Sequence, residues 1–160
     1  MSDWDDRVAE IWADEALTDQ ERIARIDAVA AERPEDDARA LFERAGARDS
    51  AGIETEAEPL YRAALAAGLD EEHRPQAVIQ LASTIRNLGR VEESLEMLRA
   101  EYERGGPFND AAAAFYALAL VSRGDAVQGA AIALTALAPH LPRYTRSVTG
   151  YASELTGPPR

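Results

Sequence analysis

The sequence predicts an all-α fold of about nine helices paired into antiparallel hairpins, and three observations carry that prediction. Apolar residues recur at helical spacing in almost every segment of the 160 residues, with no sustained strand alternation. Gly52, Gly89 and Gly124 each stand where one helical pattern stops and another begins, 37 and 35 residues apart. Placed on those glycines, the segments "ARALFERAGARDSAGIETEAEPLYRAAL", "PQAVIQLASTIRNLGRVEESLEMLRAEY" and "DAAAAFYALALVSRGDAVQGAAIALTAL" superpose without a gap, and their small residues coincide.

The elements follow in order. In the first helix Trp4, Val8, Ile11 and Trp12 share a face, and Ser2 with Asp5 three residues on forms a weak capping pair. Thr18 with Glu21 opens the second helix in the same way; Ile23, Ile26, Val29 and Ala30 give its buried stripe, and Pro34 ends it. Further helices are predicted over 36–51, 55–67, 74–88, 91–103, 109–123 and 126–140, with a last one after Pro142. Pro59 removes a backbone donor near the start of the fourth helix, so a kink or a delayed first turn is expected there. The chain is read as a single domain over 1–160. Residues 1–35 form an N-terminal helical pair, 38–140 hold the three repeats, and 141–160 form a C-terminal capping helix and tail.

Composition excludes several classes of function. No apolar run is long enough to span a bilayer, and the acidic start "MSDWDDRVAE" lacks the order of a secretion signal, so a cytoplasmic address is expected. There is no cysteine, and all 17 basic residues are arginine, which removes thiolate and lysine-nucleophile chemistry. Residues 1–60 hold 18 acids and 7 arginines, net −11; residues 61–110 are net −3, and 111–160 net +2. A phosphate backbone is repelled by such a first half, so nucleic acid is not an expected partner.

The superposed segments resemble the tetratricopeptide repeat family. In the middle copy Val78, Leu81, Ala82 and Ile85 occupy the first-helix slots, Gly89 the turn, and Ser94 with Leu98 the second-helix pair. In the first copy Leu41, Ala45, Gly52, Ala57, Tyr61 and Ala64 match, while Arg44 and Arg48 stand where large apolar residues belong. In the third, Tyr116, Ala117, Leu120, Gly124, Gly129 and Ala136 match, and Ala113 and Ala133 are undersized. The resemblance implies a right-handed stack of hairpins, an α-solenoid. The first helix of each pair lines a concave groove, and the module is a non-enzymatic one that binds proteins.

On the fifth helix Gln76, Gln80, Ser83 and Asn87 share one face, opposite the stripe of Val78, Leu81, Ile85 and Leu88. Amides carry donors and acceptors, so this row suits an extended peptide backbone, and Arg86 beside it suits a carboxylate. An ordinary solvated polar face accounts for the same residues. The slots that hold a partner's terminal carboxylate elsewhere in the resembled family contain Phe42, Gly46, Gln80, Ala111 and Phe115 here, so that clamp is not expected. Phe42 and Phe115 are then either apolar ends of the groove or core.

Neither His73 nor His140 sits in a metal-binding spacing, so no metal and no cofactor are expected, and no enzymatic activity. The clusters Asp3, Asp5, Asp6 and Glu35, Asp36, Asp37 fall at helix starts, where acids favour the helix dipole. "GARDSAG" and "ERGGPFND" lack the ending of a phosphate loop, and the "RGD" at Arg123 to Asp125 is an inter-helix turn. The third copy is apolar on most faces, and its expected cover is either the last helix, through Tyr144, Val148 and Tyr151, or a second subunit. The expected partner is therefore an extended peptide or partner helix in the groove. The alternative is a homodimeric scaffold built through the alanine-rich third copy.

Overall fold

A computed structural model describes residues 3–157, so the Ser2 capping pair lies outside the described residues. Among these there are nine α-helices and one 3-10 turn, with no strand: α1 Asp3–Ala13, α2 Asp19–Ala30, α3 Ala38–Ser50, α4 Glu54–Ala67, α5 His73–Asn87, α6 Val91–Arg104, α7 Asn109–Arg123, α8 Ala126–Leu137, the turn Ala138–His140, and α9 Thr145–Thr156. Two compact units divide the chain between Thr84 and Ile85.

In the first unit α1 and α2 build a core from Trp4, Val8, Ile11, Ile26 and Ala30 together with Ala40 and Ala47 of α3; Trp12, Ile23 and Val29 pack at its edge. The Trp4 indole N–H, which cannot be buried without an acceptor, donates to the Val29 carbonyl at 2.9 Å. The Thr18–Glu21 capping box forms as predicted, each side chain bonding the other's backbone N–H. Asp37 caps α3 by accepting from the Ala40 N–H at 2.9 Å, so one acid of the predicted cluster has a local structural role. α4 runs through Pro59 with its start undelayed: Glu56 and Ala57 N–H both reach the Ile53 carbonyl.

The three glycine turns are alike in their bonding. The residue after each glycine donates back five positions, Ile53 to Arg48, Arg90 to Ile85 and Asp125 to Leu120, at 2.8–3.1 Å. Four residues further on, the N–H groups of Ala57, Ser94 and Gly129 reach the carbonyls of Ile53, Arg90 and Asp125. The glycines hold φ of 71°, 85° and 101°, the left-handed region in which a side chain is strained. "RGD" is accordingly a turn, with Gly124 closing α7.

The two apolar slots that hold arginine in the first repeat are filled by charge. Asp27 of α2 receives Arg44 Nε at 3.0 Å and both terminal nitrogens of Arg48, at 3.0 and 2.8 Å, while Arg48 Nε reaches Glu56 of α4 at 3.2 Å. Burial alone would raise the Asp27 carboxyl; the hydrogen bonds from Arg48 and Arg44 outweigh it and hold the group below its ordinary range.

In the second unit the alanine-rich helices solve the opposite problem by approaching closely. A Cβ built on Gly129 of α8 lies 2.8 Å from the Ala117 carbonyl oxygen of α7, so the backbones are nearer than any side chain permits. α8 ends at Leu137, three residues before the predicted boundary, because Pro139 lacks the amide donor and the chain tightens into the 3-10 turn. α9 packs on α8 and buries Ala152, but Tyr144 and Tyr151 point outward, 72% and 67% exposed. The expected cover by those two tyrosines is not made, and Leu118, Val121, Val127 and Leu137 remain exposed as well.

Candidate functional site

α5 is more deeply buried than a single apolar stripe provides. Leu81, Ala82 and Ile85 are buried as predicted, but so are Ala77, Ile79 and Thr84, while Val78 and Leu88 are only half-buried. What remains for contact is narrow: Gln76, Gln80, Ser83 and Arg86 are half-buried, and Asn87 is exposed.

Within the first unit, α1, α3 and α5 enclose a hollow of about 430 Å³, inside the range of roughly 300–1,000 Å³ typical of ligand sites. Phe42 and Trp12 supply aromatic wall, Glu43 and Asp49 the acidic groups, and Gln76 and Gln80 the amides; His73, Gly46 and Ser50 complete the lining. Of the predicted contact residues, Phe42, Gln76 and Gln80 are brought together here, whereas Ser83 does not line the hollow. Arg86, Asn87 and the half-buried Phe115 belong to the second unit. Phe42 is itself buried, with its ring 6.2 Å from Tyr61 and 5.8 Å from His73, so it is core on one side and wall on the other.

Beneath the hollow lies a polar cluster that helix periodicity does not reveal. Tyr61 Oη sits 2.9 Å from Gln80 Oε1 and 3.2 Å from Asp49 Oδ2. Thr84 Oγ1 sits 3.0 Å from Asp49 Oδ1 and 2.9 Å from the Gln80 carbonyl. Each hydroxyl owns one proton, so two protons serve four oxygens, and Asp49 has no cationic partner of its own among the described residues. Burial pushes the Asp49 carboxyl above its ordinary value, and the two hydroxyls offset this only in part. Burial likewise drives the Tyr61 phenol far upward, fixing it as a donor. Glu43 is better served: Trp12 Nε1 donates to one oxygen at 2.8 Å and Arg39 Nη2 lies 3.1 Å from the other.

Thr84 was legible in one respect. It aligns with Ala47 and Ala119, and all three are buried, so a hydroxyl there occupies a slot reserved for small core side chains. The histidines take local partners: His73 Nδ1 lies 2.7 Å from Asp70 and His140 Nε2 2.8 Å from Asp110. Among the described residues no three His, Asp or Glu side chains converge to hold a metal ion, and no helix is long and apolar enough to cross a membrane.

The repeated turn, the coincident small residues and the paired helices define a helical repeat protein. A family model described as "Tetratrico peptide repeat" matches residues 38–155, nearly three quarters of the chain, and the protein belongs to that family. No curated protein matches it. The family is one of protein–protein interaction modules, typically non-enzymatic.

Proposed function

We propose that the protein is a non-enzymatic interaction module that holds an extended peptide or a partner helix, with the hollow of the first unit as its principal contact. The observation that carries this is the grouping of Phe42, Gln76 and Gln80 around about 430 Å³ of open space beside a donor-poor acidic cluster. Gln76 offers its amide at the rim, its Nε2 already steadied by the Glu72 carbonyl at 3.0 Å. Affinity capture from native lysate compares the intact chain with Gln76→Ala. Loss of a partner from the variant supports the module, and equal retention of every partner contradicts the site.

A second reading, a homodimer formed through the alanine-rich third repeat, is favoured by a separate observation. All seven exposed large apolar side chains among the described residues lie between Leu118 and Leu155. Tyr144 among them also holds a left-handed φ of 72°, a conformation costing about 1 kcal/mol or more for a non-glycine residue. Light scattering at two protein concentrations tests it: a monomer at both removes the dimer.

A further inference from the structure

We propose that the first-unit hollow recognises a basic side chain, an arginine of a partner peptide, seated against Asp49 with its stem along Phe42. This rests on the preceding assignment of the hollow as a partner site and adds the chemistry of its occupant.

The cluster behind Asp49 has more acceptors than protons to serve them. Two hydroxyl protons, from Tyr61 and Thr84, are divided among both oxygens of Asp49, the Gln80 side-chain oxygen and the Gln80 carbonyl. A carboxylate has room for about four hydrogen bonds, so Asp49 retains acceptor capacity and an uncompensated charge. A guanidinium brings five donors and a positive charge in one planar group, and it is the least strongly hydrated of the basic side chains. The Phe42 ring, already 5.9 Å from the Arg39 guanidinium, contributes apolar wall for the stem of such a side chain. Glu43 is not the main counter-charge, because Arg39 and Trp12 already engage it.

Two further observations favour a peptide over a free cation. A neighbouring hollow of about 510 Å³ shares Trp12, Glu43 and His73 and adds Asp5, Asp70 and Glu72, so the acidic lining continues past the first pocket. Arg33 and Arg39 also line it, paired with Asp37 and with Asp5 and Glu43. Charge points the same way. Residues 1–84 hold 21 acids against 9 arginines, net −12, while residues 85–160 hold 8 of each, so long-range attraction for a basic segment originates in the first unit.

Titration of the full chain, followed by NMR at the Trp12 indole N–H and the side-chain amides of Gln76 and Gln80, tests the assignment. The probes are ethylguanidinium, its neutral isostere ethylurea, and a capped Ala-Arg-Ala peptide with its citrulline counterpart. Ethylguanidinium is expected to saturate the shifts at a concentration about tenfold below ethylurea, the weight of one charge-assisted hydrogen bond. The arginine peptide is expected to bind more tightly than the fragment. Asp49→Asn should erase the cation preference and Asp49→Glu should keep it, with helical circular dichroism retained in both. Equal binding of ethylguanidinium and ethylurea overturns the cation assignment while leaving a neutral peptide site intact. Equal binding of fragment and peptide assigns the hollow to free small cations and overturns the peptide; no shift with any probe overturns the occupant altogether.

Discussion

The two units carry the same glycine turn and fill the space around it in opposite ways. In the first, residues 1–84 bear the whole net charge of −12, and Arg44 and Arg48 occupy apolar slots by chelating Asp27. In the second, residues 85–160 are neutral overall, Ala113 leaves a buried slot undersized while Ala133 is exposed, and Gly129 lets α8 approach α7. A repeat thus tolerates the loss of a bulky apolar residue by two routes, a closed ion-pair network or a shorter distance between helices. The routes leave different surfaces: an acidic unit with a lined hollow, and a neutral unit with exposed apolar side chains.

The sharpest break in the comparison is Arg48→Ala. The Arg48 side chain is 11% exposed and Asp27 34%; removing it takes two of three guanidinium bonds from a partly solvated carboxylate that keeps Arg44, at an expected cost of about 2 kcal/mol in urea unfolding. Next is Gly129→Ala, whose methyl meets the Ala117 carbonyl oxygen at 2.8 Å; overpacking there should cost about 1.5 kcal/mol. The same substitution in the other unit should have the opposite sign. A Cβ at Gly46 finds Trp12 at 3.5 Å and Tyr61 at 3.8 Å, ordinary contact distances, so Gly46→Ala should add about 0.5–1 kcal/mol through helix propensity while narrowing the hollow. Thermal melts of the two glycine variants side by side measure this directly.

The smallest effect is confined to pH. The folded-state pKa of Asp49 is raised, by burial first and by Glu54 in addition, with the hydroxyls opposing. Such a group contributes stability that is complete below the unfolded carboxyl value, 3.8, and is lost as pH rises through the folded value. Asp49→Asn should therefore melt higher than the intact chain at neutral pH, with the difference vanishing below about pH 4. A carboxylate retained at a cost to stability is what a binding group in this hollow requires.

The helices and turns were legible because their signals are local: a glycine, a cap, an apolar repeat every three or four residues. The Asp27–Arg48 network was half legible, since both arginines stood out as misfits, but their partner lies 17 and 21 residues away on a helix outside the repeat alignment. The Asp49–Thr84 contact spans 35 residues and joins two positions that share no helical face in sequence. Ser83 and Gln80 looked equivalent by spacing; packing separates them, because only Gln80 receives the Tyr61 hydroxyl and lines the hollow. The exposure of the two tyrosines has a related reason. Spacing places Tyr144 and Tyr151 on one side of a helix, but which side faces α8 is decided by the small residue, Ala152.

The hollow of the first unit is the expected contact with a different protein. Site-specific photo-crosslinking tests it directly, with a photoreactive amino acid at position 76, on the rim of the hollow, or at position 121 on α7. A crosslink is expected from position 76 to a peptide of another protein, mapped by mass spectrometry to a segment containing arginine. Crosslinks from position 121 alone, with position 76 no different from an unreactive control, contradict it.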